Sequence, residues 1–333
     1  MRKLMSILLA LVMILSLSTV AFAAEEAGET KKYEDQSNVI LKKTYKLENE
    51  GTTNPEETFS FSELTCTGVV NAGVGVTKET APVPTIASVT YTAGQATVAG
   101  AEQEITITLP AVADYKGVGA YTYEFNEVNG NVAGVTYRNE TIKLVVTVIQ
   151  GENNKLRVAG VHTEAANGTK SDTFGNTYSA GSLNVKKVVT GIMGDREKEF
   201  TVTVTFDAPE GKTVKSDITY NNGAQTGAVT FDENGHASVN IKVKHGSTVT
   251  FNNIPYGVMY KVTEETPADY DVSYEKDEDV IGAASTDCTI TNNKEGKVDT
   301  GIVLDSMPYV LLLAVACMGL AVLMTKKRAS REF

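Results

Sequence analysis

The chain has 333 residues, 42% of them hydrophobic, with 41 acidic side chains against 30 basic ones and a net charge of −11. That surplus of acid argues against a nucleic-acid partner or an anionic surface. Three cysteines, Cys66, Cys288 and Cys317, give neither a disulfide framework nor zinc-ligand spacing, so packing or another kind of crosslink must stabilise the molecule.

The first 23 residues read as a secretory signal peptide: a basic start at Arg2-Lys3, an apolar core over Ile7–Leu15, and a small-residue exit at Ala21-Phe22-Ala23. Beyond it the pattern is all-β. Short alternating runs rich in Val, Ile, Thr and Tyr, such as Glu104–Leu109, Thr141–Ile149, Glu199–Phe206 and Ser247–Phe251, are separated by Gly, Asn, Asp and Pro turns. Two tandem β-sandwich domains are expected, over residues 37–178 and 181–294, with Ser179–Ser182 as a short joint that leaves little slack. "NNG" (Asn221–Gly223) marks a hairpin, and "FDENGH" (Phe231–His236) reads as a hairpin tip rather than a calcium loop. The apolar run Met307–Met324, near the lower length limit for a membrane span, is followed by Lys326-Lys327-Arg328 on the cytoplasmic side.

A weak repeat links the two units. Each opens with a strand carrying lysines, Asn38–Leu47 and Ser182–Val189. Each later has an aromatic strand ending in an acid, Tyr121–Glu127 and Tyr260–Glu265, and closes with an asparagine strand, Thr173–Tyr178 and Cys288–Asn293. Side chains alternate between the faces of a strand, so the phase of the apolar residues also dictates which polar residues point inward. By that phase Lys43, Glu127 and Asn176 enter the first core, and Lys187, Glu264 and Asn292 the second. Buried polar groups are costly unless they satisfy one another. Desolvation favours a neutral lysine and a protonated acid. Glu127 and Glu264 are therefore the candidate catalytic acids. A glutamic acid donating to the asparagine oxygen would let the amine attack the carboxamide carbon and expel ammonia, a single-turnover reaction. The alternative is a lysine that snorkels, an edge glutamate in water and an asparagine that forms a turn. His162, His236 and His245 lie apart, with no nucleophile pattern, and no cofactor or metal motif is present.

The stretches "LKKTY", "NPEETFSF", "YTYEFNEV", "VTYRNETIKLVVTV" and "FGNTY" resemble those of streptococcal T-antigen-type pilus shaft proteins and their isopeptide-linkage domains. In the second unit "LNVKKVVTG", "EFTVTVTF", "NIPYGVMYKVTEE" and "TITNNK" are also similar to the B-type repeats of collagen-binding surface proteins, which implies Ig-like or CnaB-like sandwiches. The resemblance covers nearly all of residues 37–294 and puts the bonds of such domains on Lys43–Asn176 and Lys187–Asn292. It also implies a sortase sorting signal over residues 298–333, made of a motif at Val298-Asp299-Thr300-Gly301, the apolar span and the basic tail. Cleavage would fall between Thr300 and Gly301, although the proline usual in such motifs is missing. The implied acceptor amine is Lys170 of "NGTKSDTF". The implied partners are a sortase and neighbouring pilin subunits or peptidoglycan on a Gram-positive cell wall. A wall-anchored monomeric adhesin for a host surface or matrix protein is the competing expectation.

Overall fold

The computed structural model describes residues 34–223, 225–265, 267–296 and 311–320. The segment 1–23, the motif Val298–Gly301 and both ends of Met307–Met324 lie outside the described residues. Residues 311–320 are helical, and among the described residues no helix is long and apolar enough to cross a membrane.

Apart from that segment and three single-turn 3-10 helices the described chain is strand, turn and loop, an all-β architecture. In the first half, a five-stranded sheet runs in the order Thr85–Ile86, Ala101–Thr108, Asn38–Leu47, Thr173–Tyr178, Val135–Thr136. It is accompanied by a four-stranded sheet of Leu156–Glu164, Ile142–Gln150, Gly119–Phe125 and Thr65–Val70. The second half repeats the plan with six and four strands; Ala180–Thr190 and Ser285–Asn293 lie side by side in the larger sheet, and Phe200–Asp207 and Met259–Glu264 in the smaller. Each half has its own apolar core. The first is dominated by buried aromatics, among them Tyr45, Phe59 and Tyr91, whose rings meet edge to face at 5.1 to 5.9 Å. Such pairs contribute about 1 kcal/mol each beyond the area they bury. The second core is mostly Val, Ile and Phe.

In both halves the opening strand pairs with the closing strand in parallel. Lys43 sits opposite Phe174 and Tyr45 opposite Asn176; Lys187 sits opposite Ile290 and Val189 opposite Asn292. The asparagine thus lies two residues beyond the lysine's partner in each pair, on the same face of the sheet. The repeat seen in the sequence is a repeat of tertiary geometry.

Two local expectations differ from the structure. The joint is narrower than Ser179–Ser182, because the next strand already begins at Ala180 and only Ser179 separates it from Tyr178. The turn at Phe231–His236 is not a hairpin tip, since Thr226–Val229 and His236–Val243 belong to different sheets. The Asp232 carboxylate accepts from the Asn234 and His236 N–H groups, so the turn itself is as expected while the chain crosses the sandwich. The Asn221–Gly223 hairpin does form.

Side chains and tight backbone contacts join the two halves. Asn253 accepts from the Thr53 N–H at 2.9 Å and donates to the Thr53 carbonyl at 3.0 Å, with its own φ at +61°. Asn49 donates to the Ala180 carbonyl and to the Tyr256 hydroxyl, and the Tyr178 hydroxyl meets Ser216 at 2.6 Å. Gly134, at φ +77°, admits no side chain, because a Cβ would lie 2.6 Å from the Ser179 carbonyl oxygen. Asn253→Gly keeps the left-handed backbone accessible but removes both hydrogen bonds to Thr53. It is expected to lower the unfolding free energy by about 1–3 kcal/mol in denaturant titration. An unchanged midpoint would mean that the joint is held elsewhere.

Candidate crosslinking site

Each half carries a buried glutamate in contact with both a buried lysine and a buried asparagine. In the first, Lys43 and Asn176 extend from the paired opening and closing strands of one sheet. Glu127 follows the strand Gly119–Phe125 of the other and is pinned by an isolated bridge to Phe61. Lys43 Nζ donates to Glu127 Oε2 and to Asn176 Oδ1, and Asn176 Nδ2 donates to Glu127 Oε1 at 2.5 Å. The Arg138 backbone N–H approaches the same Oε1 at 3.3 Å. In the second half, Lys187 Nζ donates to Glu264 Oε2 and Asn292 Nδ2 to Glu264 Oε1 at 2.5 Å, while Asn292 Oδ1 has no partner among the described residues. All six side chains are buried, the two lysines almost completely. The edge-charge and snorkelling alternatives are thereby excluded for these residues.

Aromatic rings keep the lysines dry. Lys43 Nζ lies 4.6 Å from the Phe59 ring centroid and Lys187 Nζ 4.5 Å from that of Phe200. Burial pushes both lysines below their ordinary pKa, with the neighbouring glutamate pulling the other way and, for Lys43, the Arg138 charge adding to the fall. A buried amine with a lowered pKa is a nucleophile in waiting.

The glutamate's geometry differs from the sequence expectation. Its second oxygen faces the carboxamide nitrogen, not the carboxamide oxygen, so it bridges the lysine and carboxamide nitrogens. Strand phase selects the three residue types, but only the rotation of the asparagine side chain decides which of its atoms meets the acid. Phe59, Phe61, Phe200 and Arg138 were not singled out for the site from the sequence. For Phe59 and Phe61 a signal was present in the alternation of "ETFSF", where the two rings share a strand face with Glu57.

A pH test follows for the unlinked state. In Asn176→Ala no amide to position 176 can form, and Lys43 remains a titrating amine. Its folded pKa lies below the ordinary 10.5 of the unfolded chain, so between the two values the unfolded chain holds more protons. Stability of this variant should therefore rise with pH through that window, level off above about 10.5, and be lost as pH falls through the folded value. Urea midpoints measured from neutral to alkaline pH check this; a flat profile would mean that Lys43 is charged and fully paired by Glu127.

Lys170 is exposed, in an isolated bridge opposite Glu164, shortly before the closing strand Thr173–Tyr178. It does not approach either buried cluster. The three histidines remain apart: His162 meets Glu164, His236 meets Asp207, and His245 accepts from the Val189 N–H.

Residues 39–179 match the family described as the Spy0128-like isopeptide containing domain. Residues 181–294 match a Domain of unknown function (DUF7601). A curated pilin from Streptococcus pyogenes serotype M1 is 28% identical over 234 residues, spanning 63% of this chain and 68% of that protein. The chain is thus similar to a streptococcal pilin, with the isopeptide domain over residues 39–179. The fold agrees: the crystal structure of the major pilin from Streptococcus pyogenes superposes with a TM-score of 0.54 at 22% identity, covering 79% of this chain and 100% of the pilin. The T3.2 major pilin of the same species gives 0.53 at 19% identity, over 78% and 99% of the two chains. At these identities the structural likeness is one of fold.

Proposed function

We propose that this chain is a structural subunit of a cell-surface pilus, built from two domains over residues 37–178 and 181–294, each closed by its own Lys–Asn amide. The observation that carries the reading is the twofold appearance of one dry cluster on adjacent, parallel first and last strands. In the first domain Lys43 Nζ attacks Asn176 Cγ. Glu127 accepts the proton released from Nζ through Oε2 and delivers one to Nδ2 through Oε1. The Cγ–Nδ2 bond breaks, ammonia leaves, and the new Nζ–Cγ amide remains with the carboxyl group unchanged. Lys187, Glu264 and Asn292 perform the same exchange in the second domain. The reaction occurs once per domain, so the protein is structural and not an enzyme in the turnover sense.

Export by the segment 1–23 and retention by the apolar span bring the chain to a sortase, which cuts after Thr300 and passes the acyl group to an amine. Lys170 of the next subunit is that amine in a polymer, and peptidoglycan supplies it at the base. Exposure of Lys170 supports this choice.

Intact mass of the purified chain tests the amides. Each bond should remove about 17 Da, and Glu127→Ala or Glu264→Ala should each restore one such increment. In the producing cells, Lys170→Arg should collapse a high-mass ladder of covalent polymer to single subunits. A native chain at its full calculated mass would overturn the crosslinks; a ladder that survives Lys170→Arg would move the acceptor elsewhere. A chain that is monomeric in cells with Lys170 intact would favour the adhesin reading.

A further inference from the structure

A different cation stands beside each cluster: Arg138 at the first and, at the second, Lys198, whose Nζ lies 5.4 Å from the Phe200 ring centroid. The Arg138 backbone N–H donates to Glu127 Oε1, the oxygen that also holds Asn176 Nδ2. Its guanidinium lies 5.0 Å from the centroid of the Phe174 ring, and Phe174 is the residue opposite Lys43 in the parallel ladder. Outward, the same guanidinium is tied to the exposed Glu140 carboxylate at 2.6 Å. Arg138, Asn139 and Glu140 face Gly175, Asn176 and Thr177 across a cavity of about 380 Å³. This cavity exists because Val135–Thr136 covers only Thr177 and Tyr178 of the closing strand, leaving the edge beside Asn176 open. In the second half, Asp271–Glu275 covers the closing strand as far as Asn293, and the Glu264 N–H goes to the Tyr274 hydroxyl.

We propose that the Arg138 guanidinium is a positioning group for the first amide, set over the Phe174 ring opposite Lys43 and forming the wall of the passage by which ammonia leaves Asn176. This rests on the reading that the amides form. The charged groups facing Lys43 are Glu127 and Arg138, with the Phe59 and Phe61 rings and the neutral Asn176 completing its surroundings. A fixed positive charge there disfavours a second one on the amine, so more of Lys43 is in its reactive form at neutral pH. The two domains therefore crosslink under different control, the first dependent on Arg138 and the second independent of it.

The test is a time course. Full-length chain is synthesised in a cell-free system, quenched in acid at intervals, and digested, and the two branched peptides are counted by mass spectrometry. Arg138→Gln should slow the first bond about tenfold at neutral pH and move its rate profile to higher pH, with the second bond as an internal control. Arg138→Lys, which keeps the charge, should restore the pH profile. Equal slowing of both bonds, or an Arg138→Gln profile identical to the native one, would overturn the proposal. Absence of either branched peptide from the native chain would overturn the amide reading itself, and this inference with it.

Discussion

Glu127→Ala is expected to melt far below the native protein and to retain both nitrogens of the first cluster. Two effects add. The proposed crosslink between Lys43 and Asn176, 133 positions apart, is lost. By analogy with a disulfide of that loop length, its restriction of the unfolded chain is worth about 5 kcal/mol. Lys43 also loses its acidic partner in a dry site, a change that costs about 3–5 kcal/mol in comparable buried pairs. Lys43→Met removes the crosslink while filling the same space with an uncharged side chain, and Glu127 keeps the N–H groups of Asn176 and Arg138 as donors. The expected order of Tm is native, then Lys43→Met, then Glu127→Ala, with the first step about 15 °C for a domain of this size. Scanning calorimetry on the three proteins decides it. A Glu127→Ala protein that melts with the native one would mean that neither the amide nor the buried pair stabilises the fold.

Under tension, the native chain is expected to stay short and Asn176→Ala to lengthen by about 450 Å when its first domain opens. The opening and closing strands are parallel neighbours, so pulling on the two ends of the domain loads their ladder in shear. With Nζ of Lys43 bonded to Cγ of Asn176, force passes directly from one strand to the other, and everything between them bears no load. Without that bond the 133-position interval is free to extend. Single-molecule pulling on the exported portion, from end to end, reads the difference. A native molecule that shows the long step would be one whose first and last strands are not covalently joined.

The six cluster residues were legible in the sequence because a strand has a side-chain period of two. Once Leu41 and Tyr45 were assigned to the core, Lys43 between them had to follow, and the same holds for Lys187 between Val185 and Val189. The all-β architecture was legible for the same reason. The turn at Phe231–His236 shows the limit of local reading: Asp232 makes the same turn whether the next strand pairs back or crosses to the other sheet. Arg138 was silent for a related reason. It follows a two-residue strand in which no periodicity can be counted, and its place over Phe174 depends on how far that strand covers the closing one.

Alternation and composition alone therefore determined that this is an acidic, all-β chain with a lysine, a glutamate and an asparagine turned inward in each half, because those properties are local and repeat every second residue. Tertiary structure alone decided that each lysine and its asparagine stand on parallel neighbouring strands two residues out of step. It also decided that the acid reaches across from the facing sheet to the carboxamide nitrogen. These are relations between segments 28 to 133 residues apart, and no local period encodes which strands become neighbours.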